Sequence, residues 1–169
     1  MIELLVVIVI MAVMAAIAIP AFVVWLPNYR LKSAARDLYS NLQLAKLGAV
    51  KQNNSWAIAF DQTADPGQYQ IVSDWGGANS TEKTVSFDQY EGVDYGNGNA
   101  NITATTPPVA YPIGDDIHYG VNDVVVFNSR GTCNGGYVYL ANQKNTAYAV
   151  GTRTSGVILL RKWSGTAWE

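Results

Sequence analysis

The one histidine of this 169-residue chain, His118, follows two carboxylates, Asp115 and Asp116, and precedes Asn122 and Asp123. An imidazole among carboxylates is raw material for a metal site, and the oxygens of Asp115, Asp116, Asn122 and Asp123 could in principle hold calcium. A zinc-type centre needs a fourth ligand that this neighbourhood lacks, and the spacing follows no calcium-loop pattern, so these positions read as solvated turn residues. Nucleophilic catalysis has less to work with. Gly-x-Ser-x-Gly is absent, and a single histidine leaves few triads to assemble. Cys133 is the sole cysteine, so it cannot close an intramolecular bridge; it reads as a small, partly buried residue beside a turn. The expectation is no enzyme and no resident metal or cofactor.

The charged group with most to do is Glu3. It stands directly before an uncharged, almost wholly apolar run from Leu4 to Leu26. As a helix this run reaches about 34 Å, enough to cross a hydrocarbon core of about 30 Å. A cleavable secretory signal would instead show a basic start, a shorter apolar stretch and a small-residue cleavage site. An unpaired charge in hydrocarbon costs on the order of 3 kcal/mol, so Glu3 wants a partner. If many copies pack these helices together, the N-terminus of a neighbour can neutralise the carboxylate, and a wrong axial stagger leaves a buried charge. Alternatively, Glu3 lies at headgroup level and favours the positive end of its own helix.

Elements must position these groups. Leu31, Ala35, Leu38, Leu42, Ala45 and Ala49 recur at alternating spacings of three and four, which predicts an amphipathic helix with one apolar stripe lying on a globular domain. Gly48 and then Gln52-Asn53-Asn54-Ser55 mark its decay and end. Pro20 and Pro27 each lack an amide hydrogen and crowd the carbonyls of Ala16 and Val23, so kinks are expected at both. From Trp56 the pattern changes to period two. Trp56–Phe60, Tyr69–Val72, Thr84–Phe87, Val124–Phe127, Tyr137–Leu140, Ala147–Val150 and Val157–Leu160 read as strands separated by Gly, Asn, Asp and Pro. The interval from Gly92 to Gly120 reads as long loops with one or two short strands. The class is α+β: a long helix, apolar and then amphipathic, followed by an antiparallel sheet or small sandwich. The boundaries are 1–27 for the helix that spans a membrane or packs in a core shared by many copies, 28–53 for the amphipathic helix and 54–169 for a β-rich head.

Charge is uneven along the chain. The net charge is −2, yet residues 28–52 hold Arg30, Lys32, Arg36, Lys46 and Lys51 against one acid, Asp37, whereas residues from 53 onward hold six bases and eleven acids. The basic belt reads either as a solvated helix face or as glue toward the acidic surfaces of neighbouring copies, and packing of many such helices together favours the second.

Ile2-Glu3-Leu4-Leu5-Val6-Val7-Ile8, followed by Ala15-Ala16-Ile17-Ala18-Ile19-Pro20, resembles the N-terminal signature of type IV pilins and type II secretion pseudopilins. In that family the mature chain begins with an N-methylated residue and the glutamate is fifth, not third. The resemblance therefore implies two further residues before Met1, and a leader ending in Gly that a prepilin peptidase removes. It implies a subunit stored in the inner membrane as a single-pass protein and polymerised by an assembly platform into a helical homo-oligomeric filament, periplasmic or at the cell surface. Glu3 would set register, Leu4, Leu5, Val6, Val7, Ile8, Ile17, Ile19 and Phe22 would pack the filament core, and the helix around Pro20 would melt on assembly. Farther on, Phe127-Asn128-Ser129-Arg130-Gly131, Thr154-Ser155-Gly156-Val157 and Leu159-Leu160-Arg161 resemble the ending of the H-type pseudopilin and FimT-like group. That likeness implies a head with two small sheets. It also brings the alternative of a minor pilin whose head binds DNA, a surface or a secreted substrate at the filament tip.

The remaining signals are weaker. Arg153, Arg161 and Lys162 could touch DNA phosphate, but the acidic excess of the head argues against nucleic acid. Trp56, Trp75, Trp163 and Trp168 could form a binding platform, although such rings in a β domain mostly pack core or edge. Asn53, Asn79 and Asn101 begin Asn-x-Ser/Thr triplets that an Asn- and Thr-rich chain produces by chance.

Overall fold

The computed structural model describes residues 2–112 and 114–169; Met1, where the processing expectation falls, lies outside the described residues. Helix α1 runs from Ile2 to Gln52 without interruption, 51 residues and about 76 Å long. Pro20 and Pro27 both lie inside it. It ends as Gln52-Asn53-Asn54 suggested. Asn53 takes the left-handed conformation at φ 51°. The Asn54 amide donates to the Ala49 carbonyl at 3.1 Å and the Asn53 amide to the Val50 carbonyl at 3.4 Å. This is a Schellman closure with asparagine in the position glycine usually takes, and Lys51 in the last turn suits the negative end of the helix.

What changes along α1 is its cover. Leu31, Ala34, Ala35, Leu38, Leu42, Ala45 and Ala49 are buried, while the large apolar side chains from Ile2 to Trp25 stay exposed. The head explains the difference. Strands β1 (Trp56–Asp61), β2 (Gln68–Ser73), β3 (Ser80–Ser86), β4 (Val93–Tyr95), β5 (Ile117–His118), β6 (Val124–Phe127), β7 (Gly136–Asn142), β8 (Ala147–Thr152) and β9 (Ile158–Lys162) form two antiparallel sheets. One sheet has the order β3-β2-β1-β6, and the other has β4-β7-β8-β9 with β5 also pairing β7. Both lean on the second half of α1, and the main core joins Leu38 and Leu42 to Ile58 and Tyr69 of one sheet and to Val138, Leu140 and Val150 of the other.

Period two decides the second sheet. Val138 and Leu140 face the helix, whereas Tyr137 and Tyr139 face away into a separate cluster with Ala104, Ala149, Leu159 and Trp168. That outer face is roofed by the long segment after β4. Tyr139 Oη accepts from the Ala104 amide at 2.9 Å, Arg161 donates to the Ala104 carbonyl at 3.1 Å, and Trp168 donates to the Ile102 carbonyl at 2.7 Å.

Two strand assignments shift. The strand expected at Thr84–Phe87 begins earlier, at Ser80, and stops at Ser86, whose hydroxyl accepts from the Asp88 amide at 3.1 Å and opens a 3₁₀ turn over Phe87–Gln89. The last strand starts at Ile158 because Val157 belongs to the turn and is exposed.

Candidate assembly surface

The helix from Ile2 to Trp25 is the part of the chain that satisfies nothing internally. Leu4, Leu5, Val6, Val7, Ile8, Ile17, Ile19 and Phe22 are all more than half exposed, and the same holds on every side of the helix. A helix apolar all round is one that expects cover from lipid or from other helices. The stretch Ile2–Pro20 is long and apolar enough to cross a membrane. Glu3 is exposed at its open end.

The head grips α1 just where the apolar stretch ends. Lys144, in the β7–β8 turn, donates to the main-chain carbonyl of Val24 at 2.8 Å, and Asn142 donates from its side-chain amide to Asn28 Oδ1 at 2.9 Å. Between these contacts sits Pro27, which removes one bond from the helix ladder. Arg30 then pairs with Glu91 at 2.8 Å. About three turns beyond, buried Asn41 donates to Tyr69 Oη at 2.7 Å, and that hydroxyl reaches Asp37 Oδ2, one turn before Asn41, at 3.4 Å. Burial first and the Asp37 carboxylate second push the Tyr69 phenol well above its usual range. Sequence reasoning missed this clamp. Turn residues such as Asn142-Gln143-Lys144-Asn145 announce a hairpin tip, and nothing local says that the tip reaches back to Val24.

The basic belt divides. Arg30 is spent on Glu91, and Lys46 donates to the Gly156 carbonyl at 3.0 Å, so these two serve the chain's own packing and correct the expectation that the belt as a whole faces neighbours. Lys32, Arg36 and Lys51 stay exposed. Leu44, Leu47 and Val50 form a second exposed apolar row on α1, beside an open groove of about 550 Å³ that Val157 and Ile158 help to line.

The residues that invited chemistry are dispersed into structural roles. The Asp115 carboxylate accepts from the Ile117 amide at 3.2 Å, and the Asp116 carboxylate accepts from the Tyr111 hydroxyl at 2.8 Å. Burial raises Asp116 although the tyrosine bond opposes it. His118 packs edge-on to Tyr139 with its Nε2 3.0 Å from the Asp115 carbonyl oxygen. No group of three or more His, Cys, Asp or Glu side chains suited to a metal occurs among the described residues. Cys133 is half-buried; its thiol donates to the Arg153 carbonyl at 3.2 Å, and burial pushes it up. Three tryptophans of the head, Trp56, Trp163 and Trp168, are packing residues. Trp56 and Trp163 are buried, and Trp168 lies against both Trp163 and Tyr139 at 5.3 Å.

The long half-covered helix with a two-sheet head has relatives. A type IV minor pilin of Pseudomonas aeruginosa PAO1, FimU, shares the fold with a TM-score of 0.54 at 15% identity, over 80% of this chain and 91% of that one. The minor pseudopilin EpsH of the Vibrio cholerae type 2 secretion system matches with a TM-score of 0.53 at 11% identity, over 78% of this chain and 95% of that one. No curated protein matches by sequence. The family described as Type II transport protein GspH matches residues 34–156, from the buried stripe of α1 to the turn before β9. Its members are structural filament components and not enzymes. An uncovered apolar helix and a buried stripe that seats it on two sheets are the parts of one design, and this chain belongs to the GspH family of type II transport proteins.

Proposed function

We propose that this chain is a subunit of a helical filament, a type IV pilus or a type II secretion pseudopilus, held in the inner membrane by its N-terminal helix and then polymerised through it. The carrying observation is the exposure of every large apolar side chain described from Ile2 to Val24 beside a head that has its own buried core. Burying each Val, Leu or Ile contributes about 1.5–3 kcal/mol, so copies that align these helices gain a large, non-directional attraction. Such an attraction does not select a stagger. Glu3 supplies the selection, because each wrong register leaves a carboxylate among apolar side chains without a cation.

Leu4, Leu5, Val6, Val7, Ile8, Ile17, Ile19 and Phe22 then fill the filament core, and Pro20, with no amide to offer Ala16, is where α1 yields when helices are drawn together. The prepilin peptidase and the assembly platform act on the membrane-held form. Both solved relatives are described as minor subunits, which favours a low-copy position for this chain as well. Arg161 being bound to the Ala104 carbonyl leaves Arg153 and Lys162 as the free cations of the DNA-binding alternative, too few for a backbone footprint.

The test is electron microscopy and mass spectrometry of filaments sheared from the native cells, carried out for the natural chain and for Glu3→Ala. The expected result is this chain in the filaments, with its N-terminal peptide extended and methylated, and about a tenfold or greater loss of incorporation on Glu3→Ala while membrane content is unchanged. Equal incorporation of the variant removes the register role. Retention in the membrane fraction with no trace in filaments removes the filament role.

A further inference from the structure

A pocket of about 270 Å³ opens where α1 leaves its uncovered stretch, lined by Trp25, Tyr29 and Lys32 of the helix and by Thr146, Tyr148 and Lys162 around β8 and β9. Trp25 and Tyr29 stack on each other at 4.8 Å. Tyr148 and Lys162 sit opposite one another across the β8–β9 ladder. Arg36, one turn after Lys32, is close enough for its charge to oppose the rise that burial imposes on the Tyr148 phenol. Lys144 stands at the same end of the head, on the carbonyl of Val24. Four of the chain's eleven cations therefore gather at one place on a head that is otherwise acidic. Among the described residues the ion pair formed is Arg30 with Glu91, so none of these four is neutralised by a carboxylate.

The location gives this cluster its meaning. A hydrocarbon core of about 30 Å takes up roughly twenty helical residues, so a helix that enters it near Leu4 leaves it near Val23 or Val24. Trp25 then falls in the headgroup layer and Tyr29 at its outer edge, where aromatic rings are favoured, and Lys32 stands about 12 Å past the hydrocarbon, with a side chain long enough to reach back to the phosphate level. A basic pocket beside a spanning helix is a fit for a phosphate-bearing headgroup.

We propose that this pocket binds the phosphate of an anionic phospholipid, with Lys32 and Lys162 as its cations and the Trp25–Tyr29 stack along the glycerol and upper acyl chain. The lipid seats the head on the bilayer while the subunit waits for assembly; this rests on the membrane-held stage proposed above. Entry into a filament would strip the lipid away.

The test uses the full chain reconstituted into vesicles of phosphatidylcholine alone or with phosphatidylglycerol, then released into neutral detergent for native mass spectrometry of retained lipid. The expected result is selective retention of phosphatidylglycerol, reduced about fivefold for each cation removed in K32A and K162A and restored in the K32R/K162R double variant. R153A, on an exposed residue outside the pocket, retains lipid normally, and an unchanged melting temperature shows that each variant is folded. Equal retention of the two lipids by an inserted chain, or selectivity unaltered in the K32A/K162A double variant, overturns the lipid site alone. Displacement of the lipid by an equal concentration of inorganic phosphate assigns the pocket to a soluble anion and overturns it too. A chain that enters neither vesicle overturns the membrane-held stage and the lipid site with it.

Discussion

Lys144 donates a 2.8 Å hydrogen bond to the main-chain carbonyl of Val24, joining the tip of the β7–β8 hairpin to the helix where its apolar stretch ends. Pro27 lies just past this point and cannot donate to Val23, so the ladder is weakest where the lysine steadies it. With the Asn142–Asn28 contact, the bond ties the helix to the head at the point where the uncovered stretch begins.

Lys144→Met keeps the stem of the side chain and removes its donor. An exposed bond of this kind is worth about 1 kcal/mol, so amide hydrogen exchange across residues 24–30 should quicken about fivefold while exchange in β7 and β8 holds steady. Unchanged exchange around Val24 would show that Pro27 and the Asn142–Asn28 contact hold the helix without the lysine.

Gly48 sets two effects against each other. Alanine is favoured over glycine inside a helix by about 1 kcal/mol, but a Cβ here would lie 2.7 Å from the Trp56 ring. That ring is buried and its indole nitrogen donates to Gln52 Oε1 at 3.2 Å, so it has little room to retreat. Overpacking of this sort costs about 1–3 kcal/mol, and Gly48→Ala should therefore lower stability by roughly 1 kcal/mol in denaturant melts of the full chain in micelles. A stabilised variant would mean that the indole moves freely.

Alkaline pH should unfold the head through its buried phenols. Tyr69, Tyr95 and Tyr119 are all pushed above the ordinary tyrosine range, with burial the leading cause in each. Each therefore holds its proton more tightly when folded than when unfolded. The stability this represents is complete below about pH 10, where the unfolded phenol is also protonated, and falls as pH rises above that. Each such tyrosine steepens the loss by up to about 1.4 kcal/mol per pH unit, so Tyr119→Phe should give a shallower decline between neutral and strongly alkaline buffer. An identical slope would mean that Tyr119 ionises in place.

Cys133 should be a slow thiol. It is half-buried, raised by burial and bonded to the Arg153 carbonyl. Alkylation at mildly alkaline pH should run about tenfold slower in the folded chain than in denaturant. Equal rates would show that the turn carrying it opens readily.

The helix and most strands were legible because their signals are local. Leu31, Ala35, Leu38, Leu42, Ala45 and Ala49 declare one face of a 3.6-residue period, and all six are buried. Tyr137-Val138-Tyr139-Leu140 declares alternation, and its residues part into two clusters. The apolar run after Glu3 is likewise visible in composition alone. Less visible was where Val157 leaves the turn, since an apolar residue reads the same on either side of a strand boundary.

Only the tertiary structure decided which polar groups meet. Asn41 sits on the stripe side of the helix and is buried because Tyr69, 28 residues later, offers it a hydroxyl. Arg30 and Lys46 look like their neighbours Lys32 and Arg36 in sequence, yet the first two are consumed by Glu91 and the Gly156 carbonyl and the others are left for a partner. Such pairings depend on how two sheets are laid along one helix, a relation between segments up to 120 residues apart that no local period encodes. Sequence determined which surfaces must be buried, because hydrophobic patterning is a property of each segment; the fold decided which charges stay free, because that depends on what each segment lies against.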